Sequence, residues 1–228
     1  MNVKLITSAN SPFGARITIA ARVKKIDLEL CPPPGGGLRS PAFLAINPIA
    51  KIPVLITDQG QDVAESAVIL RYLDQRFPDP PLRPVDPEAA ARIDLLAHIA
   101  DTYVMAPVIR LFPHLNPLTR DQQVVEAELA RWRDGVAVLS HFLGDGSPPS
   151  GEAVTLADCV LPPTLHLGTR IAAMLDLPHD PARMHAPLVA YYARIRRHPV
   201  IGPVLSALTQ AQADYDIKAG RPSLADRH

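Results

Sequence analysis

The pattern of apolar and polar positions changes about one third of the way along the chain. Before that point, short β-branched runs alternate with stretches of helical periodicity; beyond it, apolar side chains recur at spacings of three and four, as in amphipathic helices. The order strand, helix, strand, hairpin, helix predicts a small α/β unit at the start. Its strands are predicted around residues 3–7, 27–30, 54–57 and 61–64.

Turn and cap residues mark where the helices of this unit begin. Ser11 followed by Pro12 predicts an N-cap and a first helical residue, for a helix over about residues 13–25. Ser40 followed by Pro41 predicts the same start for a short helix. Between the two, Pro32 to Gly37 is a run of prolines and glycines, which predicts a surface loop.

The later part of the chain reads as a helical bundle. Two long helices are predicted, the second with a Thr119-x-x-Gln122 capping box at its start and Gly144 as its stop. Their apolar stripes are Ile93, Leu96, Ala97, Ala100 and Val104 in the first and Val125, Leu129, Trp132, Val136, Leu139 and Leu143 in the second.

A third helix of this part is predicted to begin at another capping box, Thr155-x-x-Asp158, in which Asp158 has a structural role. Pro162 and Pro163 follow closely, which predicts a bend or a later start. Two last helices are expected around residues 188–197 and 200–211, and the chain after Lys218 is expected to be mobile.

A proline-rich stretch separates the two patterns. Five prolines fall between Phe77 and Pro87, and so many prolines exclude a helix or a central strand. The predicted organisation is therefore an α/β domain over residues 1–77, a linker over 78–87 and an all-helical domain over 88–228.

Composition narrows the class of protein. Lys plus Arg and Asp plus Glu number 23 each, so no net field favours nucleic acid or an anionic membrane as a partner. No secretory leader and no run of about 18 apolar residues is visible. The two cysteines and eight histidines show no metal-ligand spacing, so no metal is expected. A cytoplasmic location is predicted.

Pro53 stands at the entrance of a predicted buried strand, within the stretch Asn47 to Leu55. Sheets tolerate proline at first positions and edges, which is one explanation. The other is a cis Ile52-Pro53 bond, which would leave the Ile52 backbone free to pair with an extended peptide.

This stretch resembles the Asn-Pro-x-x-Lys-Val/Ile-Pro-Val-Leu motif of the cytosolic glutathione transferases. Glu65 to Ile69 resembles the Glu-Ser-x-x-Ile segment of the same family, in the same order and spacing. The resemblance implies a thioredoxin-like N-terminal domain followed by an all-α helical bundle, with glutathione as cosubstrate and a homodimer as the assembly. Phe43 and the first helices of the second domain are then expected at the interface.

The segment from Ser11 to Arg16 resembles the Ser/Cys-Pro-Phe-x-x-Arg segment of the bacterial and omega-like transferases. The resemblance implies that Ser11 meets the glutathione sulfur, with Ser8 and Asn10 as the alternatives. An ordinary N-cap is the competing role for Ser11. Serine in place of cysteine favours deprotonation of bound glutathione over mixed-disulfide chemistry.

The same resemblance assigns the remaining contacts with glutathione. Ile52 beside Pro53 would pair with the cysteinyl amide, and Glu65 with Ser66 would hold the γ-glutamyl group. Lys51 and Arg39 would face the glycyl carboxylate.

An electrophile pocket is the least determined part of the site. Phe13 and the helix positions Tyr103 and Arg110 are its candidates, together with Ala106 and Pro107 between them. Side chains at this spacing more commonly pack in a core, which is the alternative.

Two functions follow from these observations. The first is a detoxification-type glutathione transferase, in which Ser11 stabilises the thiolate that attacks an electrophile in a cleft between the domains. Isomerase, dehalogenase and ether-cleaving variants share this first step. The second is a non-catalytic glutathione-binding or regulatory protein of the same fold.

Overall fold

The computed structural model describes residues 3–146 and 153–218. The expectation for the chain after Lys218 lies outside the described residues. Contacts divide the chain into two compact units. Within the described ranges, the first unit comprises residues 3–82 and 199–218, and the second comprises 83–146 and 153–198.

A four-stranded mixed sheet forms the centre of the first unit. Its strands are β1 (Val3–Ile6), β2 (Leu28–Cys31), β3 (Val54–Ile56) and β4 (Asp62–Ala64), in the spatial order β2-β1-β3-β4. β1 pairs parallel with β2 and antiparallel with β3, and β3 pairs antiparallel with β4. The helices are α1 (Pro12–Val23), α2 (Pro41–Ile46) and α3 (Ser66–Arg76). The predicted thioredoxin-like α/β fold is confirmed.

Side-chain caps set the starts of α1 and α2, as predicted. Ser11 Oγ accepts a hydrogen bond from the Gly14 amide at 3.1 Å, and Ser40 Oγ accepts one from the Phe43 amide at 3.1 Å. Each serine thereby satisfies one of the amides that a helix start leaves without an intrahelical partner.

Phe43 lies in the core of the first unit, where its side chain is fully buried against Ile6 and Val54. The expectation that Phe43 is available to a partner subunit is therefore wrong. Phe43 lies in the first turn of α2 and packs against residues of the sheet, and covering its apolar surface is worth about 2–3 kcal/mol.

The last helix of the chain, α9 (Ile201–Lys218), groups with the first unit. From the sequence, these residues are expected in the helical domain, because the helix follows other helices along the chain. Gln212 Nε2 donates a hydrogen bond to the Asn10 carbonyl at 3.3 Å, and Gln212 is buried. This contact joins positions 202 residues apart, so no local pattern reveals it.

The second unit is helical, as predicted. It comprises α4 (Pro87–Ile99), a π-helical segment (Ala100–Met105), α5 (Ala106–Arg110), α6 (Gln122–Leu143), α7 (Leu156–Met174) and α8 (Ala186–Ile195). The predicted apolar stripes of the two long helices are buried throughout. A Cβ on Gly135 would lie 1.9 Å from the Tyr103 carbonyl oxygen, so glycine allows α6 to approach the π-helical segment.

One local prediction for the second unit is wrong, and one of two alternatives is removed. α6 is capped by Asp121, whose side chain accepts from the Gln123 and Val124 amides, and not by Thr119. The carboxylate lies one residue before the helix and reaches the free amides directly. α7 does not start late: it begins at Leu156 and continues through Pro162 and Pro163, which are buried with their neighbours, so the bend is the alternative that stays a prediction.

The capping box of α7 is confirmed and extends into a buried network. Asp158 Oδ2 accepts from the Thr155 amide at 2.9 Å and from the Thr155 hydroxyl at 2.7 Å. Asp158 Oδ1 accepts from the Tyr191 hydroxyl at 2.8 Å, which ties α7 to α8. Burial, followed by the charge of Asp158, raises the pKa of Tyr191 well above its ordinary value. The structural role predicted for Asp158 fits this geometry.

One helical stretch, Pro87–His114, is long and apolar enough by length and composition to cross a membrane. Half of its most apolar window is buried inside the protein. The core helix of a water-soluble protein meets the same criteria, so this stretch is weak evidence for a membrane.

Candidate functional site

The sheet register brings the four candidate segments to one end of the sheet. Ile6 is the last residue of β1 and pairs with Val54, the first residue of β3, which in turn pairs with Ala64, the last residue of β4. Ile6 also pairs with Cys31, the last residue of β2. The segments that follow β1, β2 and β4 and the segment that precedes β3 therefore all lie at the same end of the sheet. Ser11, Ile52, Glu65 and Arg39 lie in these four segments.

The Ser11 hydroxyl occupies the start of α1 with part of its hydrogen-bonding capacity in use. Its oxygen accepts from the Gly14 amide, and the residue is buried with 8% of its surface exposed. A hydroxyl has two lone pairs and one hydrogen. Among the described residues, no protein acceptor takes the hydrogen of Ser11. The capping role and a donor role are thus compatible.

The loop before α1 is fixed by its backbone. The Ser11 amide donates to the Ser8 carbonyl at 3.0 Å, and the Asn10 carbonyl accepts from Gln212 on α9. Ser8 and Asn10, the two alternatives for the sulfur contact, are both half-buried. Gln212 was not predicted from the sequence, because nothing local indicates that the last helix reaches this loop.

The Ile52-Pro53 peptide bond is cis. Of the two explanations for Pro53, this is the one that the structure shows. Ile52 is half-buried, and within the described ranges its amide and carbonyl take part in no backbone hydrogen bond. Asn47 supports the approach to this bond: its side chain donates to the Lys51 carbonyl at 2.8 Å and accepts from the Ile49 amide at 3.2 Å.

Glu65 and Ser66 form the start of α3. Glu65 is exposed and has a positive φ of 67°, a backbone conformation that non-glycine residues adopt rarely and at a cost of about 1–3 kcal/mol. Ser66 is buried, and its hydroxyl accepts from Arg16 Nη1 at 3.3 Å. An uncommon backbone conformation beside an exposed carboxylate is typical of a functional site.

Arg16 is a site-supporting residue whose role the sequence did not predict. Its side chain is fully buried, its guanidinium lies 4.7 Å from the centre of the Phe13 ring, and it links α1 to the start of α3 through Ser66. A buried guanidinium places a permanent positive charge next to two candidate site residues, Phe13 and Ser66. The only available signal was its place in the Ser-Pro-Phe-x-x-Arg segment.

Lys51 and Arg39 are the two exposed cations of this part of the first unit. Lys51 lies just before the cis bond, and Arg39 lies between the chain leaving β2 and the start of α2. Neither has an ion-pair partner within residues 3–146 and 153–218. Both charges are therefore available to an anion from solvent.

Cys31 also lies at this end of the sheet, but its thiol is poorly suited to act as a nucleophile. Desolvation, followed by the hydrogen bond and charge of Glu29, raises the pKa of Cys31 above its ordinary value. A raised pKa leaves little thiolate at neutral pH.

The candidates for the electrophile pocket have different environments. Phe13 is half-buried beside Arg16, and Tyr103, in the π-helical segment, is 51% exposed. Arg110 pairs with the buried Glu128 at 2.8 Å, so its charge is already partly neutralised. Pro107 is buried, which favours packing over ligand contact for that residue.

Comparison with known proteins decides the family. The family model described as the glutathione S-transferase N-terminal domain matches residues 5–81. A maleylacetoacetate isomerase from Pseudomonas aeruginosa is 31% identical over 211 residues, which are 88% of this chain and 98% of that protein. The chain belongs to the cytosolic glutathione transferase superfamily.

Two further relatives of this transferase-superfamily chain agree with that assignment. A zeta-class glutathione S-transferase from Euphorbia esula is 30% identical over 175 residues, covering 72% of this chain and 75% of the relative. A glutathione S-transferase from Methylobacterium radiotolerans, solved in complex with glutathione sulfonate, has a TM-score of 0.75 at 24% identity and covers 90% of this chain and 95% of its own. The second likeness bears on the fold alone.

Family membership confirms the predicted class of enzyme, which is a glutathione transferase or an isomerase variant of one. The matched stretch, residues 5–81, contains every candidate glutathione contact from Ser11 to Ser66. Tyr103 and Arg110 lie outside it. The roles of the individual site residues and the reaction catalysed stay predictions.

Proposed function

We propose that this member of the superfamily binds glutathione at the end of its sheet, and that Ser11 stabilises the thiolate for attack on an electrophilic carbon. The observation that carries the proposal is the hydrogen-bonding state of Ser11. Its oxygen accepts from the Gly14 amide at 3.1 Å, and no acceptor among the described residues takes its hydrogen, which is therefore left to donate to a bound sulfur.

The energy required of this contact is modest. Lowering a thiol pKa by two units needs about 2.7 kcal/mol of differential stabilisation. A hydrogen bond to a charged group contributes about 1.5–3 kcal/mol, and the N-terminus of α1 adds about 0.3–1 kcal/mol. The two effects together reach the required value.

The dimensions of the sheet end suit an extended tripeptide. Adjacent strands lie about 4.8 Å apart, so the row Ile6, Val54 and Ala64 spans roughly 10 Å. Three extended residues also span roughly 10 Å. The free backbone of Ile52 would pair with the cysteinyl residue at the middle of this row.

Charged groups at the ends of this row would hold the two termini of the tripeptide. Glu65 attracts the γ-glutamyl amine, and Ser66 at the start of α3 offers its amide and hydroxyl to the adjoining carboxylate. Lys51 and Arg39 are left for the glycyl carboxylate. These assignments rest on position and charge.

For the net reaction, we propose thiolate addition to a carbon–carbon double bond conjugated to a carbonyl or carboxylate. A maleylacetoacetate isomerase is a full-length relative, so cis–trans isomerisation of such a bond is the first reaction to assay. Addition of the sulfur makes the bond single, rotation follows, and elimination restores both the double bond and glutathione. Phe13, Tyr103 and Arg110 are the proposed contacts with the electrophile.

We further propose that the protein is a cytoplasmic homodimer. The surface of α4 and α6 supports this assembly, because Leu95, Val138 and Phe142 are each about 40% exposed there. Ala91, Arg92 and His141 complete a groove of about 400 Å³ between the two helices. Light scattering of the native chain and of Phe142→Asp would test the proposal, since a charged residue at this surface should produce monomers.

The proposed chemistry is tested by measuring the thiol pKa of bound glutathione. Thiolate absorbance is titrated against pH in native protein and in Ser11→Ala. Loss of the hydroxyl should return the thiol pKa toward the value of free glutathione and lower kcat/KM about 100-fold. Ser40→Ala is the matched control, because Ser40 caps α2 with the same bond but donates its own hydrogen to the Pro34 carbonyl.

The outcomes separate catalysis from binding alone. A raised thiol pKa in Ser11→Ala and an unchanged pKa in Ser40→Ala would support the proposal. Glutathione that binds to native protein with the pKa of free glutathione would contradict it and favour the non-catalytic alternative.

A further inference from the structure

The second unit contains a cavity that takes no part in the proposed glutathione site. It has a volume of about 430 Å³, within the range of about 300–1,000 Å³ that is usual for small-molecule sites. The cavity lies between α7, the short turn Pro181–Met184 and α8. Its apolar lining consists of Leu165, Ala182, Leu188, Val189 and Ala193.

Two arginines border this apolar cavity. Arg183 and Arg196 both line it and are both exposed, and Arg196 also lies 5.9 Å from the centre of the Tyr192 ring. Within residues 3–146 and 153–218, Arg196 has no carboxylate partner. A guanidinium presents a planar fork of donors that matches a carboxylate.

The one carboxylate in the lining, Asp180, is occupied by other donors. Its Oδ1 accepts from the Ala182 amide at 2.9 Å and its Oδ2 accepts from the Thr169 hydroxyl at 2.6 Å. Arg183 Nε is 4.0 Å from Oδ2, which is beyond hydrogen-bonding distance. Asp180 therefore holds the turn in place, and Arg183 keeps its donors for another acceptor.

Tyr192 adds a polar group without adding charge. Its hydroxyl lies 3.3 Å from His166 Nδ1, and burial raises the pKa of Tyr192 to about 12. The phenol is neutral at physiological pH. The charged groups that line the cavity are thus two cations and one hydrogen-bonded anion, a balance of +1.

We propose that this cavity is a second ligand site, which binds a small amphiphilic carboxylate with its apolar body against α7 and α8 and its charge between Arg183 and Arg196. The apolar lining requires a hydrocarbon or aryl body, and the two guanidinium groups require an anion. The cavity volume suits a ligand of the size of a short aryl-alkyl acid.

Isothermal titration calorimetry with 4-phenylbutyrate tests the site, with 4-phenylbutanamide as the neutral analogue. The acid should bind at least about tenfold more tightly than the amide, because only the acid forms charge-assisted hydrogen bonds. The same acid should bind equally well in the presence of saturating glutathione, since the cavity belongs to the second unit alone. This comparison keeps the result independent of the proposed glutathione chemistry.

Three variants locate the binding. Arg183→Gln and Arg196→Gln should each weaken the acid about tenfold and leave the amide unchanged. Ala193→Trp should abolish both, because its indole fills the cavity from an exposed position. Arg133→Gln is the matched control: Arg133 is an exposed arginine of α6, in the same unit, and does not line the cavity.

Several results would overturn the proposal. Equal affinities for acid and amide would remove the role of the arginines. Unchanged binding in Ala193→Trp, displacement of the acid by glutathione, or an equal loss of affinity in Arg133→Gln would place the acid elsewhere. Absence of any measurable binding to the native protein would also refute the site.

Discussion

Two helix N-termini, one in each unit, have the same kind of side-chain cap but differ in what the capping hydroxyl can still bind. Ser11 caps α1 at the end of the sheet, and Thr155 caps α7 within the second unit. Both hydroxyls accept a backbone amide three residues ahead. The hydrogen of Thr155 is already donated to Asp158 Oδ2, whereas the hydrogen of Ser11 has no protein acceptor among the described residues.

The difference shows that a capping hydroxyl is a candidate catalytic group only when no protein acceptor takes its hydrogen. In the second unit, the carboxylate of Asp158 accepts from the Thr155 amide, the Thr155 hydroxyl and the Tyr191 hydroxyl, so the network contributes stability. At α1, no carboxylate occurs in the first helical turn. The start of α1 therefore keeps both a hydroxyl hydrogen and a favourable field for an anion.

The largest effect is expected from Asp158→Ala. The change removes the acceptor of the Thr155 amide, the Thr155 hydroxyl and the Tyr191 hydroxyl, and leaves buried donors unsatisfied. We expect a loss of about 3–5 kcal/mol in the free energy of unfolding, measured in urea. Asp158→Asn keeps a carbonyl acceptor and should lose less. A loss below about 1 kcal/mol in Asp158→Ala would show that the network is dispensable.

A smaller effect is expected at alkaline pH from the neighbouring Tyr192. The unfolded chain releases this proton near pH 10, while the folded protein holds it to about 12. The folded state therefore binds more protons between pH 10 and 12, and stability falls as the pH rises through this range, by at most about 1.4 kcal/mol per pH unit.

Tyr192→Phe should lack this part of the alkaline loss. Urea unfolding at pH 10 and 12 would show a decrease that is smaller by about 2 kcal/mol in the variant than in native protein. Parallel decreases in the two proteins would mean that Tyr192 titrates alike in the folded and unfolded states.

The smallest effect is expected on stability when the two serine caps of the first unit are removed. Ser11→Ala and Ser40→Ala should each cost about 1 kcal/mol through the lost bond to a helix amide, and Ser40→Ala also loses its bond to the Pro34 carbonyl. Denaturant unfolding of the two variants measures this cost. A much larger loss for Ser11→Ala would attribute its effect on activity to unfolding and would weaken the comparison with Thr155.

Local features of the fold were predictable because their causes lie within a few residues. The caps at Ser11, Ser40 and Thr155 join positions three residues apart, and the apolar stripe of α6 repeats within one helix. The error at the start of α6 was also local in kind. Asp121 and Thr119 both have cap-forming side chains, and only the path of the backbone decides which of the two lies beside the free amides.

By itself, the sequence determined the order of strands and helices, the helices that the caps at Ser11, Ser40 and Thr155 begin, and the family, since these depend on neighbouring residues and short motifs. The tertiary structure decided which groups meet. Ile6, Val54 and Ala64 pair in one row, Arg16 is hydrogen-bonded to Ser66, and Gln212 is hydrogen-bonded to Asn10. Such contacts join side chains and strands that are 10 to 202 residues apart. Their partners are chosen by packing of the whole unit, so no short window of sequence contains the information.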